Sequence, residues 1–192
     1  MNVAAIEFAA IDFESAGSAP GLTDEPVQIA IVQMRGWEIR ENFSSYIRPT
    51  RAVTWAARAV HGIGDPMVSG APRLVDLWPE VKRGLGGRWV VAHGAATERR
   101  FLRAFPVHGF GPWIDTLTLA RRVFPTLASY ALSDAVGALG LSGEAELSRP
   151  GFRWHDAVSD AVATLVLLRR LVVAAGLSNS DAEELLRVTR GT

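Results

Sequence analysis

Asp12 and Glu14 stand two apart at the end of an apolar run, AAIDFES. On a strand, alternate side chains share a face, so this D-x-E pair aims two carboxylates at one spot. Carboxylates held that close repel unless a proton or a cation separates them, and a hard divalent ion such as Mg²⁺ or Mn²⁺ suits oxygen ligands. His155 and Asp160 form H-x-x-x-x-D at the start of a long apolar helical segment, AVSDAVATLVLL, in which Asp160 is the one acid. A buried, unpartnered carboxylate there costs several kcal/mol, so a cation or strong donors should face it. Glu98 opens a helical segment after a short apolar run, a place where the helix dipole favours an acid for its own reasons. Singly, each pattern also fits a solvated or end-capping residue. Together, four carboxylates and one imidazole fall at strand ends and helix starts, from which they can converge.

The elements that must position them are read from hydrophobic pattern and punctuation. Residues 4–13 read as a buried strand, 17–25 as a loop, and 27–34 and 37–47 as two more strands around the Gly36 turn. That order predicts two consecutive hairpins. Residues 54–61 predict a helix capped by Thr54 and stopped by Gly62; residues 74–85 predict one that Pro79 kinks or divides. A strand over 88–93 precedes a helix over 97–105 carrying Arg99, Arg100 and Arg103, and a strand over 113–115 leads into a helix over 116–123. A helix over 129–139 should open on a serine cap and put Leu132, Val136 and Leu139 on one face. The longest helix is expected over 156–175, and a last one over 180–189 with Ser180 and Glu183 as a capping box. Strands first, then alternating helices and strands, indicate an α/β architecture with a mixed sheet. With no linker composition, residues 1–192 read as a single domain with a short helical extension from about 178.

Composition narrows the function. The 192 residues are 48% hydrophobic and 21% charged, the balance of a soluble globular protein with its own core. The absence of cysteine excludes disulfide scaffolds, thiol catalysis and cysteine zinc sites. No apolar run approaches the roughly 18 residues that span a bilayer. Arg169 and Arg170 break the longest, and Glu7 and Asp12 interrupt the first, so a cytoplasmic protein without a membrane role is expected. Twenty basic and twenty acidic residues cancel, so no global positive field exists to hold long duplex nucleic acid nonspecifically. All the basic residues but Lys82 are arginines, which suit bidentate phosphate contacts, although a GC-rich coding bias gives the same composition. The six tryptophans (37, 55, 78, 89, 113 and 154) should mostly be packing residues, with Trp154 beside His155 a candidate wall of the site.

The order D-x-E, then E, then H-x-x-x-x-D rests on FAAIDFES, VAHGAATERRFL and WHDAVSDA, with AVHGI, IDTLTLARR and SYALSDAVGALGL between them. In this the chain resembles the DEDDh (DnaQ-like) 3′–5′ exonucleases through about Ala175. The resemblance implies an RNase H-like fold, a five-stranded mixed sheet with one antiparallel strand, flanked by helices. It implies two divalent ions, Mg²⁺ or Mn²⁺, with Asp12 bridging both, Glu14 and Asp160 completing one site and Glu98 serving the other. His155 would be the general base, a role the ordinary imidazole pKa of about 6.5 suits. The implied reaction releases nucleoside 5′-monophosphates from single-stranded or frayed DNA 3′ ends. Alternatives are an exoribonuclease on short RNA and a catalytically silent module that binds nucleic acid or a polymerase. Backbone groups of Phe13, Ser15 and Ala16 would meet the terminal nucleotide, and His61 and Ile63 its base or sugar. Nucleic-acid 3′ ends are the expected partner, with a polymerase or a second copy of the chain as further ones. One motif departs: where the family usually reads N-x-x-F-D, this chain has Gly94, Thr97 and Glu98. A longer acidic arm and a lost amide and ring predict an active enzyme with altered metal preference or substrate selectivity.

Overall fold

Phe8, Ala10, Asp12 and Glu14 alternate with Ala9, Ile11 and Phe13, a pattern that makes a strand with two different faces. In the computed structural model of the protein this run is β1 (Glu7–Ser15), the middle strand of the sheet. Residues 2–18, 20–21 and 23–190 are described; Ala19 and Leu22 of the expected loop, and the last two residues of the expected extension, lie outside them.

The five strands are completed by β2 (Pro26–Arg35), β3 (Glu38–Tyr46), β4 (Trp89–Ala92) and β5 (Trp113–Asp115), in the order β3-β2-β1-β4-β5. β2 pairs antiparallel with both β1 and β3, as the two hairpins require, and β1–β4 and β4–β5 are parallel. β2 alone therefore runs against the rest, as the resemblance to RNase H-like exonucleases implies. Strand register opens one gap in this sheet. β2 accompanies β1 to its end, whereas β4 pairs only from Phe8 to Ala10. The last residues of β1 project past β4 and leave room beside Asp12.

The helices are α1 (Trp55–His61), α2 (Asp65–Val68), α3 (Trp78–Leu85), α4 (Ala96–Leu102), α5 (Thr116–Val123), α6 (Leu132–Ala138), α7 (Ser142–Ser148), α8 (Ala157–Ala174) and α9 (Ala182–Arg190). Phe8 and Ala10 share one core with α8, while Ala9, Ile11 and Phe13 share another with Val81 and Leu85 of α3 and Phe101 and Leu102 of α4. α8 is buried almost all round, as its nearly continuous apolar sequence demands, between the sheet and α5, α6 and α7. α9 packs on α5 and β5.

Several boundaries differ from expectation for local reasons. The segment over 74–85 divides into a 3₁₀ turn, Leu74–Leu77, and α3, whose Pro79 lies in the first turn where a missing N–H is harmless. Ser129 does not cap a helix: its Oγ accepts the Ala131 N–H at 3.3 Å in a turn, and α6 starts later, at Leu132. At α9 the acceptor for the Glu183 N–H is Asp181 Oδ1, at 3.2 Å, in place of Ser180. α2 and α7 carried no pattern strong enough to foresee. Trp55 is 84% exposed, against the expectation of packing. No helix among the described residues is long and apolar enough to cross a membrane.

α3 approaches β2 closely at Gly84, where a Cβ would lie 2.9 Å from Ile31 Cγ2 and 3.0 Å from Cδ1. Ile31 is buried and cannot swing aside. Gly84→Val is expected to lower the unfolding free energy by about 1–3 kcal/mol. Urea titration should show the earlier midpoint with an unchanged m value.

Candidate active site

The alternation of β1 carries Asp12 and Glu14 onto the face that α8 covers, and Asp160, in the first turns of α8, meets them there. Glu14, His155 and Asp160 each present a ligand atom within 4.8 Å of the others. Glu98 arrives from the far side, in the first turn of α4, through the gap that β4 leaves beside the end of β1. The charges of Asp160, Glu98 and Glu14 all act on Asp12. The sequence-derived quintet thus comes together around the end of one strand.

This crowding has an electrostatic signature. Burial first, then the charges of Asp160, Glu98, Glu14 and Asp156, push the Asp12 carboxyl well above the usual range. Burial likewise lifts Glu14, Glu98 and Asp160 to about 7 each; Asp160 and Asp156 add to the rise at Glu14, and Arg153 opposes it. Glu98 Oε2 and Asp160 Oδ1 are buried without a hydrogen-bond partner. Oxygen atoms that are buried, crowded and unpartnered are what a hard divalent cation satisfies, so the donor set fits the divalent ions that the resemblance implies.

Three side chains outside the cluster hold it in place. Gln28, buried on β2 opposite Glu14, donates from Nε2 to Asp156 Oδ1 at 3.1 Å and accepts the Ala157 N–H on Oε1 at 3.2 Å. Asp156 in turn caps α8 by accepting from the Ser159 N–H and hydroxyl at 3.2 and 3.0 Å. His155, just before this cap, takes a left-handed φ of 60°, uncommon for a residue with a Cβ, and its N–H donates to Asp160 Oδ2 at 3.2 Å. Across the site, Asp115 accepts from the Gly94 and Ala95 N–H groups at 3.0 and 3.2 Å while capping α5. It thereby fixes the turn that launches Glu98. Gln28 went unremarked in the sequence; a lone amide within VQIAIV was its only signal. Asp115 stood in a recognised segment, but only the fold shows which turn it holds.

The expected substrate contacts fare differently. His61 is 4% exposed and both ring nitrogens are engaged: Nδ1 accepts the Ile63 N–H at 3.0 Å, which leaves Nε2–H to donate to Ser15 O at 3.0 Å. Burial lowers its pKa, in keeping with a neutral ring. Ile63 is buried with Ala16, Val27 and Val68. Both side chains are buried where α1 is pinned to the end of β1. The backbone of Ala16 is also committed, its N–H to Glu25 O at 2.7 Å and its carbonyl to the Thr54 N–H at 2.9 Å. Phe13 puts its ring on Phe101, centroids 5.2 Å apart, beneath the site. Trp154 packs edge-on against Phe152 at 4.8 Å, on the main core.

At the departing motif, Gly94 has a φ of 82°, in the left-handed region that glycine and asparagine enter most readily. Replacing the family's usual asparagine with glycine therefore keeps the turn and removes only the amide. Thr97 is exposed, whereas Glu98 is buried within the cluster.

Sequence comparison defines the class. A family model described as an exonuclease matches residues 9–168. The chain belongs to this family, the DnaQ-like exonucleases, enzymes that hydrolyse phosphodiester bonds of nucleic acids. It is 32% identical over 170 residues to the PolC-type DNA polymerase III of Thermotoga maritima, covering 86% of this chain and 12% of that protein. It thus spans only about an eighth of that polymerase. It is 31% identical over 179 residues to exodeoxyribonuclease 10 of Escherichia coli K12, covering 93% of this chain and 73% of the relative. Exonuclease X, solved in complex with 5′-overhanging duplex DNA, matches with a TM-score of 0.78 at 31% identity, covering 95% of this chain and 99% of that one. The nuclease domain of 3′hExo, a DEDDh family member bound to rAMP, shares the fold with a TM-score of 0.74 at 17% identity, covering 93% of this chain and 97% of that one.

The raised carboxyls set a sign for stability. Folded, Glu14, Glu98 and Asp160 keep protons to about pH 7; unfolded, such groups release them near pH 4. The native state then binds more protons than the unfolded state, so their contribution is complete below about pH 4 and is lost as pH rises through about 7. Between pH 5 and 7.5, the thermal midpoint of chelator-treated wild type should fall relative to that of Asp160→Asn. That difference cancels His61 and the half-buried His93, whose lowered pKa values act in the opposite direction. Mg²⁺ or Mn²⁺ at pH 7.5 should raise the wild-type midpoint more than the variant's. A wild-type midpoint that climbs relative to Asp160→Asn across this window would contradict the assignment.

Proposed function

We propose that the protein is a metal-dependent 3′–5′ exonuclease that removes nucleoside 5′-monophosphates from single-stranded or frayed DNA 3′ ends. The observation that carries this reading is the convergence of four acids with raised pKa values and two unpartnered buried oxygens beside one exposed imidazole. DNA as substrate is supported by the 31% identity to exodeoxyribonuclease 10 and to exonuclease X, the latter solved with DNA. The likeness to PolC-type polymerases supports a place beside a polymerase, acting on frayed primer ends.

In this reading Asp12, Glu14, Glu98 and Asp160 would hold two Mg²⁺ or Mn²⁺ ions, Asp12 serving both, Glu14 and Asp160 the first and Glu98 the second. When bound, the ions lower the pKa of water and neutralise charge on the attacking and leaving oxygens. His155 takes the proton of the attacking water; its strained backbone and the N–H bond to Asp160 hold the imidazole at the rim of the cluster. Gln28 and Asp156 keep the start of α8, and Asp115 the start of α4, from drifting apart as the acids repel. Retention of Glu98 inside the pocket favours activity over a silent binding module, since a buried acid with an unpartnered oxygen has no binding role that offsets its cost.

The test uses 5′-labelled DNA and RNA oligonucleotides with Mg²⁺, Mn²⁺ or chelator. A ladder shortening from the 3′ end of DNA, faster than on RNA and abolished by chelator, is the expected result. Faster shortening of RNA would move the assignment to an exoribonuclease, and binding without cleavage under every metal to a silent module. Asp12→Ala should reduce kcat by about a thousandfold or more. His155→Ala should reduce it by about 10²–10⁴-fold. Glu98→Asp should stay active with a shifted ratio of Mg²⁺ to Mn²⁺ activity.

A further inference from the structure

Trp55 opens α1 with its indole 84% exposed, and Ala56, Arg58, Ala59 and Val60 share the outer surface of that helix. α1 is fastened to the strand end beyond Glu14. The Thr54 N–H donates to Ala16 O at 2.9 Å, His61 bonds Ser15 O at 3.0 Å, and Thr54 and Ala57 press on the Gly17 backbone so closely that no Cβ would fit. Trp55 and His61 are six residues apart on the helix, about 9 Å along its axis. The helix that carries Trp55 is thereby fastened to the strand that carries Asp12 and Glu14.

The cations of this surface are placed to match. Arg153 lies against Gly62, its Nη1 3.7 Å from where a Cβ would be, and its charge reaches both Glu14 and His61. Arg58 lies over Gly64 in the same manner, its Nε 3.4 Å from the corresponding position. Neither guanidinium is in an ion pair among the described residues. Arg153 thus lies beside the acids at the end of α1, and α1 itself carries Arg58 and the exposed Trp55. Two free guanidinium groups with an open aromatic ring match phosphates with a base between them. Guanidinium groups suit phosphate oxygens, which they bind bidentately.

We propose that Trp55 is a stacking platform for an unpaired base of the strand whose 3′ end lies in the carboxylate cluster, with Arg58 and Arg153 receiving its phosphates. The assignment rests on the exonuclease reading and extends it: stacking tolerates every base, so the strand is gripped upstream of the cut without sequence preference.

The test measures affinity for a 5′-labelled DNA strand of about ten nucleotides and for a dinucleotide, with Ca²⁺ present so that binding is read apart from hydrolysis. Trp55→Ala should weaken the longer strand by about tenfold and the dinucleotide far less. Trp55→Phe should recover most of the loss, and Trp55→Leu, apolar but without a ring, should not. Equal affinities for wild type and Trp55→Ala, or rescue by leucine as complete as by phenylalanine, would overturn the proposal. Turnover of a p-nitrophenyl ester of thymidine 5′-monophosphate, which has no upstream nucleotide, reports separately on the enzyme. Its absence together with ring-dependent binding would remove the exonuclease reading and leave the platform standing.

Discussion

Mutual repulsion of four acids is the constraint to which the rest of the structure answers. Asp12, Glu14, Glu98 and Asp160 come from three separate stretches of chain, and burial of each makes the charge of the others harder to bear. Nothing local would keep such groups together. What does so is the largest apolar assembly in the molecule, the packing of α8 across β1 and β2, with α4 held on the opposite face by Phe101 and Leu102. The core is the spring that compresses the charges, and the compression makes the pocket attractive to cations.

The join between core and site is made by helix caps that serve two ends at once. Asp156 ends the chain's approach to α8 and is itself gripped by Gln28 from the neighbouring strand. Asp115 starts α5 and holds the turn before α4 with the same carboxylate. Hydrogen bonds of this kind contribute only about 1–3 kcal/mol each to stability. Their larger effect is geometric, because each removes a degree of freedom through which a repelled acid could escape.

The altered second motif fits this logic. Gly94 preserves a left-handed turn, so the Asp115 bonds survive the loss of a side chain there. Phe101, one turn along α4, meets Phe13 and supplies apolar support beneath the pocket. Glu98, longer by one methylene than the usual aspartate, still reaches the charges around Asp12. The departure changes how the second group of oxygens is presented while leaving them in the cluster.

Much of the framework was legible because its causes are local. Thr54 and Gly62 bracket α1, Pro79 divides its segment, and the alternation along β1 puts Asp12 and Glu14 on one face wherever the strand lies. Asp160 announced itself as an acid inside an apolar helix. Other features depend on partners far away in the chain. The overshoot of β1 past β4, which admits Glu98, is a matter of register between strands about eighty residues apart. The inward turn of His61, the pairing of the Ala16 backbone, and the grip of Gln28 on a helix 128 residues on are of the same kind. Periodicity and capping act over one or two turns of chain, so they specify elements and faces. Which face meets which, and whether a ring such as Trp55 ends in the core or in water, is decided only when those faces pack.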